Sequence, residues 1–205
     1  MNTIDTIIFD LGAVLVDWNP MIVYLKAFEG DEKKARWFLD TVCSSSWNTA
    51  IDGGKDWQES IEEKVLEFPE YEKYIRLYRS DWELMLNGEI SGTVEILKRL
   101  KDSGKYRLYS ITNWSSETFA IARGRYDFLN WFEGISVSGD LKMVKPHKEI
   151  YLHTFEKYGI APEKSIFIDD NHANIETANA LSMNGILFKS PEELEQSLKG
   201  FGVEF

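Results

Sequence analysis

Asp10 ends the apolar run Thr6-Ile7-Ile8-Phe9, and Gly12 follows two residues later. Further along, three other short stretches place functional groups at the end of an apolar segment or in an adjoining loop. These are Thr112-Asn113 after Arg107-Leu108-Tyr109-Ser110-Ile111, Lys145 before Pro146, and Asp169-Asp170 after Ser165-Ile166-Phe167-Ile168. Each alone has an ordinary explanation. Thr112 and Asn113 suit a turn, Lys145 suits a solvated loop, and the Asp pair suits the cap of a following helix. Together they suggest chemistry. Three carboxylates at one edge repel one another unless a cation sits among them. Hard oxygen donors suit magnesium, which keeps waters and takes phosphate oxygens. A lysine beside a carboxylate nucleophile keeps it ionised and offsets phosphate charge. A hydroxyl and an amide on the neighbouring strand can hold phosphate oxygens.

The elements that must position these groups follow from the patterning. In an open α/β sheet, ligands bind outside the carboxyl ends of the strands, which is where Asp10, Thr112-Asn113 and Asp169-Asp170 fall. From Gly92 onward strands and helices alternate. Helices are expected at about 93–103, from near Ser115, at about 148–158, and around Ile175, Ala178 and Leu181. Strands are expected at 106–112, 134–138, 165–168 and 185–188, with a loop at 140–146. Ser190-Pro191-Glu192-Glu193 has the cap, the N1 proline and the N3 glutamate of a final helix. This alternation implies a mostly parallel sheet with right-handed crossovers. Between Met21 and Met85 the spacing is helical, with no convincing strand. Asp31 and Asp56 are candidate N-caps, and Tyr74, Ile75, Tyr78, Trp82 and Met85 form an apolar stripe. The aromatics of this stretch are expected to pack in a core. Trp47-Asn48-Thr49-Ala50-Ile51-Asp52-Gly53-Gly54 is expected as a surface loop able to face a ligand. The expected domains are an α/β core at 1–17 and 88–205 and an inserted all-helical domain at 18–87, placed to act as a lid.

The chain has 205 residues, a formal net charge of -11, 43% hydrophobic and 28% charged residues, and one cysteine, Cys43. The acidic balance argues against nucleic acid or an anionic membrane as partner. It permits a small phosphorylated substrate, because a local lysine and a metal reverse the sign inside one pocket. Cys43 has no partner for a disulfide. A core strand begins within a few residues of Met1 with no basic n-region, and no apolar stretch is long enough to span a bilayer. The cytoplasm is the expected location. The sequence does not reveal the oligomeric state.

Order, spacing and residue types resemble the haloacid dehalogenase superfamily along essentially the whole chain. Phe9-Asp10-Leu11-Gly12-Ala13-Val14-Leu15 resembles the first motif, Thr112-Asn113 the second and Lys145-Pro146 the third. Ile168-Asp169-Asp170-Asn171-His172-Ala173-Asn174-Ile175 resembles the fourth. The helical insert matches the family's small helical cap. The subgroup whose first motif reads Asp-Leu-Gly, which includes sugar-1-phosphatases, is the most similar.

The resemblance implies a Rossmann-like core and a two-step phosphatase mechanism. Asp10 attacks phosphorus and forms an aspartyl-phosphate, which water then hydrolyses. Magnesium is then held by Asp10, the Gly12 carbonyl and Asp170, with Asp169 either behind these ligands or bound through a water. Lys145 stabilises charge on the transferring group, and Thr112, Asn113 and Lys145 bind the phosphate. The implied substrate is a small phosphorylated metabolite, a sugar phosphate being one form. Specificity is expected in the helical insert, at Trp47 and Asp52 to Gly54.

The sequence departs from the family at Gly12, where most such phosphatases carry a second Asp as general acid and base. Such an acid is typically worth about 10²–10⁴ in rate. Three explanations stand: a leaving group good enough unaided, a substitute acid from the insert or from Asp17 or His172, or weak turnover in a binding or regulatory protein. A 2-haloacid dehalogenase, with Asp10 attacking carbon, is the other alternative. That chemistry needs no metal, and in that subgroup the fourth motif usually carries Ser residues. Asp169-Asp170 therefore speaks against it.

Overall fold

The computed structural model describes residues 3–204. In chain order the strands are β1 (Thr6–Phe9), β2 (Val16–Trp18), β3 (Leu86–Glu89), β4 (Arg107–Thr112), β5 (Gly134–Val137), β6 (Ser165–Asp169) and β7 (Asn184–Leu187). Between β2 and β3 come α1 (Met21–Ala27), α2 (Glu32–Thr41), α3 (Ser45–Asp52), α4 (Trp57–Glu67) and α5 (Glu72–Ser80). After β3 come α6 (Ser91–Ser103), α7 (Ser116–Arg125), α8 (Ser138–Leu141), α9 (Lys148–Tyr158), α10 (His172–Ala180) and α11 (Pro191–Gly200).

Five strands form one parallel sheet in the order β5-β4-β1-β6-β7. This is the expected α/β architecture. The strand β1 is central because both its faces must be covered, and Ile7, Ile8 and Phe9 are fully buried. Alternation divides the core accordingly. Ile7, Phe9, Ile166 and Ile168 pack on one face with Leu97, Leu100, Leu194 and Leu198 of α6 and α11. Ile8, Phe167, Tyr109 and Ile111 pack on the other with Ile150, Tyr151, Ile175 and Ala178 of α9 and α10. Strand order reverses beside β1, so the crevice of the sheet opens at its carboxyl end.

Local signals account for several helix ends. Asp31, Asp56, Ser115 and Ser190 each accept a hydrogen bond from the backbone N–H three residues on, capping α2, α4, α7 and α11. Gly104 and Gly159 stop α6 and α9 in the left-handed conformation. Asn171, rather than Asp169 or Asp170, caps α10 by accepting from Ala173 N–H at 2.9 Å.

The stretch 21–85 is helical, as expected, and packs around Tyr24, Phe38, Tyr78 and Trp57. The Tyr24 and Phe38 ring centroids lie 4.8 Å apart. Two expectations are corrected. The stretch Trp47 to Gly54 is not a loop: its first six residues complete α3, capped by Ser44, and only Gly53 and Gly54 lie beyond it. The helix forms because Ser44 accepts from Trp47 N–H and Trp47 and Ile51 share one inner face, a pattern masked in sequence by the glycine pair. The expected loop at 140–146 likewise begins with the last two residues of α8. The pair β2–β3 adds an antiparallel ribbon where the chain enters and leaves the helical stretch.

Candidate functional site

Asp10 follows β1 directly, and its N–H donates to Ile168 O at 2.8 Å, so the ladder between β1 and β6 fixes its backbone. The turn beyond it closes through Val16 N–H and Leu15 N–H, each donating to Leu11 O at 2.8 Å. The left-handed residue of this turn is Ala13, φ 56°, and not Gly12. A Cβ built on Gly12 meets nothing within 4 Å. Backbone geometry and packing therefore leave position 12 open to a side chain.

The strands bring the remaining groups to the same edge. Lys145 is 2% exposed, and its Nζ lies 2.8 Å from Asp10 Oδ1 and 2.7 Å from Asp169 Oδ2. Asp10 Oδ1 also accepts from Leu11 N–H at 2.7 Å. Asp169 is fully buried and saturated: Oδ1 accepts from Asn171 N–H at 2.8 Å, and Asn174 Nδ2 donates to both oxygens at 2.9 and 3.0 Å. Asn113 clasps the Lys145 peptide. Its Oδ1 accepts from Lys145 N–H at 2.8 Å, and its Nδ2 donates to Lys145 O at 2.9 Å. Thr112 ends β4 with 1% exposure. Asp170 is the exposed member of the acidic group.

One oxygen from each of Asp10, Asp169 and Asp170 lies within 4.8 Å of the others. Burial pushes the Asp10 carboxyl up to about 7, Asp169 and Asp170 add to the rise, and Lys145 pulls against it. Burial opposes the charge on Lys145, but Asp10 and Asp169 outweigh it and hold its pKa above the usual lysine value. Asp170 is raised by desolvation and by Asp169. An oxygen-only donor set, with burial opposing the charge on Asp10 and Asp170, fits a hard divalent cation, whose charge offsets that penalty.

A cavity of about 210 Å³ adjoins this cluster. Gly12, Asn113 and Asp170 line it from the sheet edge, and Trp18, Asn48, Asp52 and Trp82 line it from the other side. Two contacts fix the position of α3. Asp52 Oδ1 accepts from Ser115 N–H at 3.1 Å, and Ser138 Oγ donates to Asp52 O at 2.6 Å. Trp57 Nε1 donates to Ser115 Oγ at 3.0 Å, and Arg79 pairs with Glu117. Trp47, singled out in the sequence, instead donates its Nε1–H to Ser60 O and packs edge-on against Trp57 and Tyr78. Asp17 accepts from Asn87 Nδ2 at 2.7 Å on the β2–β3 side, and His172 is exposed and faces Glu176 at 3.2 Å. Sequence reading missed Trp18, Trp82 and Trp114 as cavity walls; the only signal for them was their aromatic bulk.

The sequence model of the haloacid dehalogenase-like hydrolases matches residues 4–181. A sesquiterpene phosphatase from Aspergillus oryzae is 25% identical over 188 residues, covering 90% of each chain. A drimenol cyclase from Aspergillus calidoustus is 28% identical over 115 residues, which are 56% of this chain and 22% of that protein. The chain thus spans about a fifth of that relative's length. Among solved structures, a haloacid dehalogenase-family enzyme from Bacteroides thetaiotaomicron, crystallised as a magnesium complex, has a TM-score of 0.72 at 22% identity. The match covers 97% of this chain and 100% of that one, and it bears on the fold.

Proposed function

The chain belongs to the haloacid dehalogenase-like hydrolase family, and on that premise we propose that it is a magnesium-dependent phosphatase of small phosphate monoesters. The observation that carries this reading is the shared lysine: one buried ammonium pairs with Asp10 and Asp169 while Asp170 completes an oxygen cluster. The likeness to a phosphatase over most of the chain supports it.

In this reading Asp10 attacks phosphorus in line, and the ester's P–O bond breaks as the aspartyl-phosphate forms. Lys145 balances the charge of the arriving phosphoryl group and orients Asp10. Thr112 and Asn113 hold phosphate oxygens, Asn113 through what its clasp on Lys145 leaves free. Water then attacks the phosphorus, releasing phosphate and restoring the Asp10 carboxylate. Asp10, Asp170 and the Gly12 carbonyl would hold magnesium. Asp169, with its oxygens already saturated, acts through Lys145 and through water. When bound, the ion supplies positive charge opposite the transferring oxygens.

The segment 18–87 serves as a cap domain over a core of 1–17 and 88–205. The cavity walls identified above include no Lys or Arg, so they favour an uncharged leaving group. Tryptophan faces suit a sugar ring or another group with an apolar side, with Asn48 available to a hydroxyl. A sugar phosphate meets both demands. Among the described residues no helix is long and apolar enough to cross a membrane. The lone buried Cys43 supports the cytoplasm as location.

The test is phosphate release from p-nitrophenyl phosphate and a panel of sugar phosphates, with magnesium and with chelator. Release is expected to need the metal and to vanish in Asp10→Asn. Chelator-insensitive halide release from 2-chloropropionate, without phosphatase activity, would replace this reading with dehalogenation.

A further inference from the structure

The geometry points to Asp52, carried by the helical segment, as the general acid and base of the reaction, in the place that Gly12 leaves empty. This assignment rests on the phosphatase reading above. It deepens that reading by naming the residue that hands a proton to the leaving group.

The argument is one of position and elimination. The cavity beside the carboxylate cluster must receive the leaving group, because it is continuous with Gly12, Asn113 and Asp170. Of the residues lining it, only Asp52 and Asp170 carry an acidic side chain, and Asp170 belongs to the cation-binding group. The two other candidates read from the sequence do not line the cavity. Asp17 is engaged with Asn87, and His172 is exposed beside Glu176. Position 12 opens on free space, so no packing demand excludes an acid there. Its absence is tolerable if another part of the chain supplies one.

Asp52 is held as an acid should be held. Ser115 N–H donates to Oδ1 at 3.1 Å and Asn48 Nδ2 donates to Oδ2 at 2.8 Å, which fixes the plane of the carboxyl. Both contacts are compatible with a proton on Oδ2 that is directed away from Asn48. The titratable groups that act on it are Asp10 and Tyr78, and Asp170 lines the same cavity. Burial pushes the Asp52 carboxyl up to about 8 against the hydrogen bond from Ser115, and Asp10 adds to the rise. The acid is therefore charged with its proton at neutral pH, the state its task requires.

The balance closes over one turnover. As the P–O bond of the ester breaks, the Asp52 Oδ2 proton passes to the departing oxygen, which leaves as a neutral alcohol. Asp52, now a carboxylate, takes a proton from the water that attacks the aspartyl-phosphate. Asp10 departs as carboxylate, and Asp52 ends protonated.

The experiment compares Asp52→Asn with wild type on p-nitrophenyl phosphate and on an alkyl phosphate, both with magnesium. Asn keeps the acceptor for Ser115 N–H. The expected loss in kcat/KM is about 10²–10⁴-fold on the alkyl ester and under about tenfold on the nitrophenyl ester, which leaves unaided. Adding Gly12→Asp to Asp52→Asn is expected to restore the alkyl ester selectively, an effect that a purely structural tether would not give. Equal losses on both esters would overturn the assignment and leave the phosphatase reading intact. Absence of turnover on either ester in wild type would overturn both. Wild type alone gives a second measurement if the variant fails to fold. Across a series of aryl and alkyl esters, kcat/KM is expected to vary little with leaving-group basicity, and a steep fall would sink the assignment.

Discussion

Asn113 and Lys145, 32 residues apart, exchange two hydrogen bonds of 2.8 and 2.9 Å, so the end of β4 sets the backbone of the loop that carries the lysine. The lysine in turn spans Asp10 and Asp169. Three strand ends are thereby linked through one side-chain amide and one ammonium.

Asn113→Ala removes both partners of a part-buried peptide. Each orphaned group costs about 1–3 kcal/mol. We expect a fall of about 2 kcal/mol or more in denaturant unfolding, and a drop in kcat larger than that stability loss explains, because Lys145 no longer has a fixed origin. An unchanged kcat in the folded variant would show that the clasp has no part in positioning.

Lys145→Met keeps the bulk and removes the charge. Two buried carboxylates then face each other without their cation, and breaking such a pair typically costs about 3–5 kcal/mol. Loss of activity is expected together with metal-free stability that falls as pH rises, since Asp10 must then ionise in a buried site without the lysine that offsets its charge. Urea titrations in chelator across several pH values measure this.

The pH dependence of stability also follows from Asp52. Folding raises its pKa from 3.8 to about 8. Between those values the native state binds more protons than the unfolded chain, so this group's contribution to stability falls as pH rises and is fully present only below the unfolded value. Asp52→Asn is expected to remove that slope. The difference in stability, variant minus wild type, should move in favour of the variant from pH 5 to pH 8. A difference independent of pH would contradict the raised pKa.

Two glycines are expected to behave oppositely. A Cβ on Gly139 would lie 2.4 Å from Ser116 N and 2.9 Å from Trp114 O, both backbone atoms. Gly139→Ala should therefore destabilise by about 1–3 kcal/mol and disturb Ser138, whose Oγ accepts from Trp114 N–H and donates to Asp52 O. Gly124, in α7, has open space around its Cβ position. Gly124→Ala should stabilise by about 0.5–1 kcal/mol through helix propensity. Thermal unfolding of the two variants decides both.

The legible parts of this fold were those with local causes. The buried strands ending at Asp10 and Asp169, and the caps at Asp31, Asp56 and Ser190, each follow from a few adjacent residues. The meeting of Asp10, Lys145, Asp169 and Asp170 was readable because strand ends of a parallel sheet share one edge. Other features depend on distant partners. The strands β2 and β3 are three and four residues long and pair across about seventy residues of chain. The helix α3 was hidden behind Gly53 and Gly54, whose turn character dominates a short window. Asp52 was visible as a specificity candidate within the stretch expected to face a ligand. Its confinement depends on Ser115, 63 residues away, which no spacing rule anticipates. Asn113 looked like a phosphate ligand by type, and its clasp on Lys145 required knowing where the loop at 142–147 passes.

The ribbon β2–β3 connects the helical segment to the sheet at both its ends, with a register irregularity at Asp17/Trp18. The groups proposed to hold phosphorus are therefore anchored in the sheet, while Asp52, Asn48 and Trp82 ride on the segment beyond the ribbon. A tilt at this stalk would withdraw the grip on the alcohol without loosening the grip on the phosphoryl group. The alcohol would then depart first, and the segment would have to return before Asp52 could take the proton of the water that attacks the acylphosphate.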